Sequence, residues 1–139
     1  MMIETIKSLI KERAHCVLAT VNEDQPYCSL MTYITDENVQ CVYMITHRNT
    51  RKFSYISKNP RVSLLIDTRD MQNAQAMTII GKYKEMDHSE TDRVRDRFVQ
   101  THSHMKKFIK DSDAAVICVD IESVLLLNGL TESHFIEFK

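Results

Sequence analysis

The chain has 139 residues, 43% hydrophobic and 27% charged, with a net charge of −1 and a pI of about 6.6. That length suits one domain with a sizeable core, and the near-neutral charge gives no global signature of nucleic-acid binding. Two glycines, two prolines and no tryptophan exclude collagen-like and Gly/Pro-rich disordered chains, and they leave no room for a glycine-rich phosphate loop.

Residues 2–13 carry Met2, Ile3, Ile6, Leu9 and Ile10 near helical spacing, with charges between them. This predicts an amphipathic helix. Residues 16–21 form a short β-prone run, ended by the turn cluster Asn22-Glu23-Asp24-Gln25. Pro26 opens a second run, 27–35. Asp36-Glu37-Asn38 is the next turn, and 39–46 the third strand. Three strands joined by short turns read as an antiparallel meander. Asn49 or Thr50 is a suitable N-cap for a helix carrying Phe53 and Ile56. That helix stops before Asn59-Pro60, because proline disfavours helix in the residue before it.

Residues 61–67 make a fourth strand, 68–73 a polar loop and 74–85 a fifth strand. Gly81 inside it marks a bulge or a close approach. Ser89-Glu90-Thr91-Asp92 resembles a capping box. The helical region it opens bears Val94, Phe98 and Val99, breaks near 101–103 and resumes with Met105, Phe108 and Ile109. Residues 114–127 are the last β segment. The sum is a mainly β chain with peripheral helices: about six antiparallel strands in a small closed or partly closed barrel, as one domain over 1–139. A doubly wound sheet is excluded, because no helix separates the first three strands.

No run of 18 apolar residues suggests a membrane helix. The amino-terminal segment lacks the basic-then-apolar order of a secretory signal, so a cytoplasmic protein is expected. Cys16, Cys28, Cys41 and Cys118 are widely spaced without a CxxC pair. They read as reduced thiols, and neither they nor the six histidines suggest a metal site.

One stretch departs from the even charge. Between His47 and Arg61 lie five of the 18 basic residues and none of the 19 acidic ones. The stretch coincides with a strand end, a Thr-containing turn and a helix start, which suits an anion. A helix N-terminus offers unpaired N–H groups and partial positive charge. Thr46 and Thr50 offer hydroxyls, Arg51 a planar fork and Lys52 a point charge. The same charges also describe a solvated surface helix, and charge alone favours that reading.

The residues Thr46-His47-Arg48-Asn49-Thr50-Arg51-Lys52, then Lys58-Asn59-Pro60-Arg61-Val62-Ser63-Leu64-Leu65 and Ile80-Gly81-Lys82, come in an order that resembles the pyridoxamine 5′-phosphate oxidase-like family. The resemblance is strongest over residues 12–87. It implies a six-stranded antiparallel split β-barrel and a homodimer with two FMN sites at the subunit interface. On this sequence it implies that Thr46, Thr50, Arg51 and Lys52 hold the flavin phosphate. It further implies that Ser29, Leu30, Met31 and Thr32 line the isoalloxazine with backbone groups, and that Gln75 reaches the flavin from near the interface.

The departures bear on the reaction. Where the family's oxidases carry an Arg at the start of the flavin-lining segment, this chain has Cys28. Where they carry a substrate-phosphate Lys, it has Tyr33. The Arg-x-His motif and flavin-contacting Trp of their carboxyl-terminal extension are not found up to Lys139. Oxidation of pyridoxamine phosphate is therefore not expected. The expectation is an FMN-binding flavoprotein, an oxidoreductase on an unidentified small molecule. The alternative is a non-catalytic flavin, haem or deazaflavin carrier or stress sensor on the same fold. Tyr33 is a proton-donor candidate by position only, and the catalytic residues are not legible.

Overall fold

The computed structural model describes residues 1–69 and 75–138. The elements in order are α1 (Met2–Glu12), β1 (His15–Asn22), β2 (Gln25–Thr35), β3 (Cys41–His47), α2 (Arg51–Lys58), β4 (Arg61–Asp67), β5 (Gln75–Lys84), α3 (His88–Thr101), α4 (Lys106–Ile109), β6 (Ala114–Asn128) and β7 (Glu132–Glu137). A 3₁₀ turn, Ser103–Met105, joins α3 to α4. Of the expected polar loop at 68–73, residues 70–73 lie outside the described residues, as does Ala74 at the expected start of the fifth strand. No helix among the described residues is long and apolar enough to cross a membrane.

The strands follow the order β3-β2-β1-β4-β5-β6-β7, all antiparallel, and β3 also pairs with β6. That pairing closes the first six into a barrel, as the short turns and alternating strands led one to expect. The long β6 makes closure possible. It lies against β5 along one edge, while its other edge serves β3 over residues 114–120 and β7 over residues 123–128. At Gly81 the β5–β6 register shifts. A Cβ there would sit 2.4 Å from the Asp120 carbonyl oxygen and 2.7 Å from a Val119 methyl, so only glycine allows the strands to approach this closely.

Strand alternation separates two cores. Inside the barrel lie Leu18, Met31, Val42, Met44, Leu64, Ile66, Met77, Ile79, Ile117, Val119 and Val124, with Ile6 and Ile10 of α1 and Ile56 of α2 closing on them. Outside, under α3 and α4, Cys41, Tyr43, Ile45 and Cys118 pack against Val94, Phe98 and Ile109. This is why β3 is buried along almost its whole length. Asp87 caps α3 by accepting the Glu90 N–H at 2.8 Å. Arg95 donates to the carbonyls of Ile109 and Ala114, and Arg97 to that of Thr35. These bonds fasten the helices to this side of the barrel.

The other outer side is left uncovered by the described residues. The registers align Leu30, Val17, Leu65, Thr78, Leu125 and Phe135 in one row across β2, β1, β4, β5, β6 and β7. In this row Leu30 is 78% exposed, Leu65 47% and Phe135 62%. Ile80 and Leu127, two positions to either side along their strands, are also exposed.

Strand β7 is absent from the expected set of six. Asn128-Gly129 turns the chain, with Gly129 at φ +80°, and Glu132–Glu137 then pairs back onto β6. The third strand begins at Cys41 rather than residue 39. Asp36 accepts the N–H groups of both Gln40 and Cys41, and Val39 takes φ +54°, so the turn extends two residues further.

Candidate functional site

Strand β2 pairs with β1 over residues 25–32 and with β3 only at Tyr33, Ile34 and Thr35. The barrel is therefore split along β2 from residue 25 to 32. Antiparallel alternation sends successive amides to opposite edges. Tyr33 N–H donates to the Ala14 carbonyl on the β1 side, so the amides of Cys28, Leu30 and Thr32 face the open edge. Side chains alternate across the sheet as well. Met31 points into the barrel core, Leu30 points out, and Ser29 and Thr32 are half-buried.

Helix α2 packs beside this split, against β1 and β2. Its Phe53 and Ile56 anchor it to the barrel core, which leaves its N-terminus at the end of β3. Here Thr46, Thr50, Arg51 and Lys52 come together. The Thr46 and Thr50 hydroxyls are 3.2 Å apart, and Thr46 is buried. Thr50 is the N-cap residue, but its hydroxyl donates to the His47 carbonyl at 2.8 Å and does not cap the helix. The N–H groups of the first turn therefore lack the side-chain acceptor an N-cap threonine usually supplies. Arg51 is exposed, with its guanidinium 5.3 Å from the centre of the Tyr27 ring. Tyr27 in turn meets Tyr55 edge to face. Burial lowers the Lys52 pKa from its ordinary value.

Two neighbouring residues turn elsewhere. Arg48 donates to the carbonyls of Ser112 and Ala114, tying the loop to the start of β6. His47 stacks edge to face on Phe108.

Gln75 opens β5, and its amide donates to Asn128 Oδ1 at 2.8 Å. It sits beside a concavity of about 420 Å³ lined by Leu65, Ala76, Leu127 and Leu130. Thr46 lies opposite Ala115 and Gln75 opposite Asn128, near the two ends of the 15-residue β6. At ~3.3 Å per residue that is on the order of 40 Å along the strand. One chain does not bring Gln75 to the threonine and arginine cluster.

Tyr33 is inside the barrel, and its hydroxyl donates to the Ile10 carbonyl. Burial pushes its pKa well above the ordinary tyrosine value, so it is a tie between β2 and α1 and not a proton donor at the open edge. His102 is also structural, with Nε2 3.2 Å from the Tyr33 carbonyl and the ring against Phe98.

A second polar group lies where β3 closes on β6. The Cys41 thiol donates to Asp120 Oδ1 at 3.0 Å, and Lys84 reaches the same oxygen at 3.3 Å. Cys118 is next to them and fully buried. The linear spacing hides this cluster: its two cysteines stand far apart in sequence, and only barrel closure joins them.

A family profile described as "Pyridoxamine 5′-phosphate oxidase" matches residues 2–128. A pyridoxamine 5′-phosphate oxidase homolog of Schizosaccharomyces pombe is 25% identical over 153 aligned positions, covering 85% of this chain and 80% of its own length. Among solved structures, a haem-binding protein of Mycobacterium smegmatis superposes with a TM-score of 0.88 at 17% identity over 99% of this chain. This chain spans 58% of that protein's length. A FAD-binding protein of Mesorhizobium loti superposes with a TM-score of 0.77 at 19% identity, over 94% of this chain and 96% of its own. At such identities these two likenesses show the fold alone. Profile, relative and fold agree: the chain belongs to the pyridoxamine 5′-phosphate oxidase family, on its split-barrel fold, without being a close match to the namesake oxidase.

Proposed function

We propose that this chain is a homodimeric FMN-binding flavoprotein acting as an oxidoreductase on a small molecule. One coincidence carries the reading. Thr46, Thr50, Arg51 and Lys52 meet at a helix N-terminus without a side-chain cap, beside a strand edge whose amides have no ladder partner. A phosphate dianion answers the first set of donors. It takes amide and hydroxyl hydrogen bonds, the Arg51 fork and the Lys52 charge, and it offsets the desolvation that lowers the Lys52 pKa. A flat, polar-edged ring answers the second set, the Cys28, Leu30 and Thr32 amides, along the segment Ser29, Leu30, Met31 and Thr32, in which the Ser29 and Met31 amides turn to β1 instead.

Bound FMN supplies hydride or electron transfer, while the chain supplies binding, orientation and exclusion of water. The bare apolar row on β2, β1, β4, β5, β6 and β7 supports dimerisation, since a large exposed apolar patch on a small protein marks an interaction surface. A second copy is also what would carry a Gln75 to the flavin.

The absorption spectrum of freshly purified protein tests this reading. A flavin spectrum is expected, and Arg51→Ala should weaken FMN binding by more than tenfold. A colourless protein whose melting temperature ignores added FMN would sink it. A second reading, a non-catalytic flavin, haem or deazaflavin binder, is favoured by the burial of Tyr33 away from the open edge. Steady oxidation of a reduced nicotinamide cofactor with an acceptor present would exclude that reading. A haem or deazaflavin spectrum would replace FMN within it.

A further inference from the structure

We propose that Cys41, Cys118 and Asp120 form a binding site for a thiophilic divalent cation of the zinc class, independent of the flavin reading. Their ligand atoms all lie within 4.8 Å of one another. Two sulfurs and one carboxylate oxygen at such separations can close onto a single ion with small side-chain rotations. Two thiolates with a carboxylate are a donor set for Zn²⁺ rather than for Mg²⁺ or Ca²⁺, which take oxygen ligands.

The fold gives the set a rigid frame. In the β3–β6 ladder Cys41 stands opposite Asp120 and Tyr43 opposite Cys118. The two cysteines are thus diagonal neighbours on the outer face of the barrel, where α3 and α4 cover it. Cys118 is fully buried and Cys41 nearly so, whereas the side chains of Asp120 and Lys84 are each 47% exposed. The cluster is therefore closed below and reachable from solvent on one side. That leaves the fourth position of a tetrahedral ion to water or a small ligand.

Charge balances in both states. With thiols protonated, Asp120 and Lys84 neutralise each other. On binding, two S–metal bonds and one O–metal bond form and two thiol protons leave to solvent. The ion's two positive charges replace those two protons, and Lys84 still offsets the carboxylate. Lys84 and Cys41 both contact Oδ1 of Asp120, so metal binding exchanges the Cys41 hydrogen bond for a shared ligand and leaves the lysine in place as a neighbour.

The test uses the full chain, reduced and freed of metal by a chelator, then titrated with Co²⁺ as the spectroscopic probe and with Zn²⁺ as competitor. We expect a thiolate-to-cobalt charge-transfer band saturating at one ion per chain and abolished by stoichiometric Zn²⁺. Cys118→Ser should remove the band. Asp120→Asn, at a half-exposed position that leaves the buried packing intact, should weaken Co²⁺ at least as much as the ~10–100-fold loss seen when outer-shell partners are removed. Cys28→Ser, on the exposed part of β2, should leave the titration unchanged. No charge-transfer band in the reduced wild type would overturn the proposal. So would a band lost in Cys28→Ser but kept in Asp120→Asn, or a Cys41–Cys118 disulfide without metal in protein purified under reducing conditions.

Discussion

The two outer sides of the barrel have been treated differently by the same chain. Around β3 and the start of β6, outward side chains such as Tyr43, Ile45 and Cys118 are covered by α3 and α4, and arginines reach across to bind backbone carbonyls. Around β1, β4, β5 and β7 the outward row is as apolar at its main positions, yet no element among the described residues lies over it. A sheet that is apolar on both faces needs a cover on both. One cover is built in. The other, in our reading, is a second copy, and the flavin site falls at the seam where the split edge of β2 meets it.

The largest effect is expected on the covered side. Phe98→Ala removes a fully buried ring from the packing between α3 and the barrel and should destabilise the chain by ~3–5 kcal/mol, read by denaturant unfolding. Phe135→Glu on the bare side should do something different. It should convert a dimer into a folded monomer in sedimentation, with the circular dichroism of the wild type. If Phe135→Glu unfolds the chain, or the wild type sediments as a monomer, the contrast between the two sides is lost.

At the seam, Arg51→Ala should weaken FMN by more than tenfold, in line with ~1.5–3 kcal/mol for a charge-assisted hydrogen bond, and leave the unliganded protein's stability nearly unchanged. Lys52→Met should weaken FMN less. Because burial disfavours the charged amine, it should leave the melting temperature of the unliganded protein equal or slightly higher. A fall in that temperature would mean that Lys52 is held by a contact in the free protein. Lys110→Ala, in an exposed ion pair with Asp96 on the helix side, should change neither binding nor stability measurably.

Much of the fold was readable because local signals agreed. Asn59-Pro60 ended α2, Gly81 marked the bulge, and alternation gave the barrel strands. What escaped was decided by single side chains or by closure. The α3 cap is Asp87, one residue before the helix, and not the Ser89 suggested by the capping-box pattern, because its carboxylate reaches the Glu90 amide. Strand β7 has an Asn-Gly turn ahead of it, yet its residues are mostly polar. It exists because β6 outruns β3 and leaves an edge to pair.

At the site, the residues contiguous in sequence were the legible ones: Thr46 to Lys52 stay together in space because one loop carries them. The relation of Gln75 to that loop, and the meeting of Cys41 with Cys118 and Asp120, depend on which strands pair. No spacing along the chain encodes that.

The most direct test of the central claim is to titrate the purified protein with FMN and, separately, with riboflavin, following melting temperature. The two ligands share the ring and differ in the phosphate assigned to Thr46, Thr50, Arg51 and Lys52. FMN should raise the melting temperature in a saturable way, and riboflavin should do so only at far higher concentration, with the difference lost in Arg51→Ala. Equal shifts from both ligands, or none from either, would contradict the account.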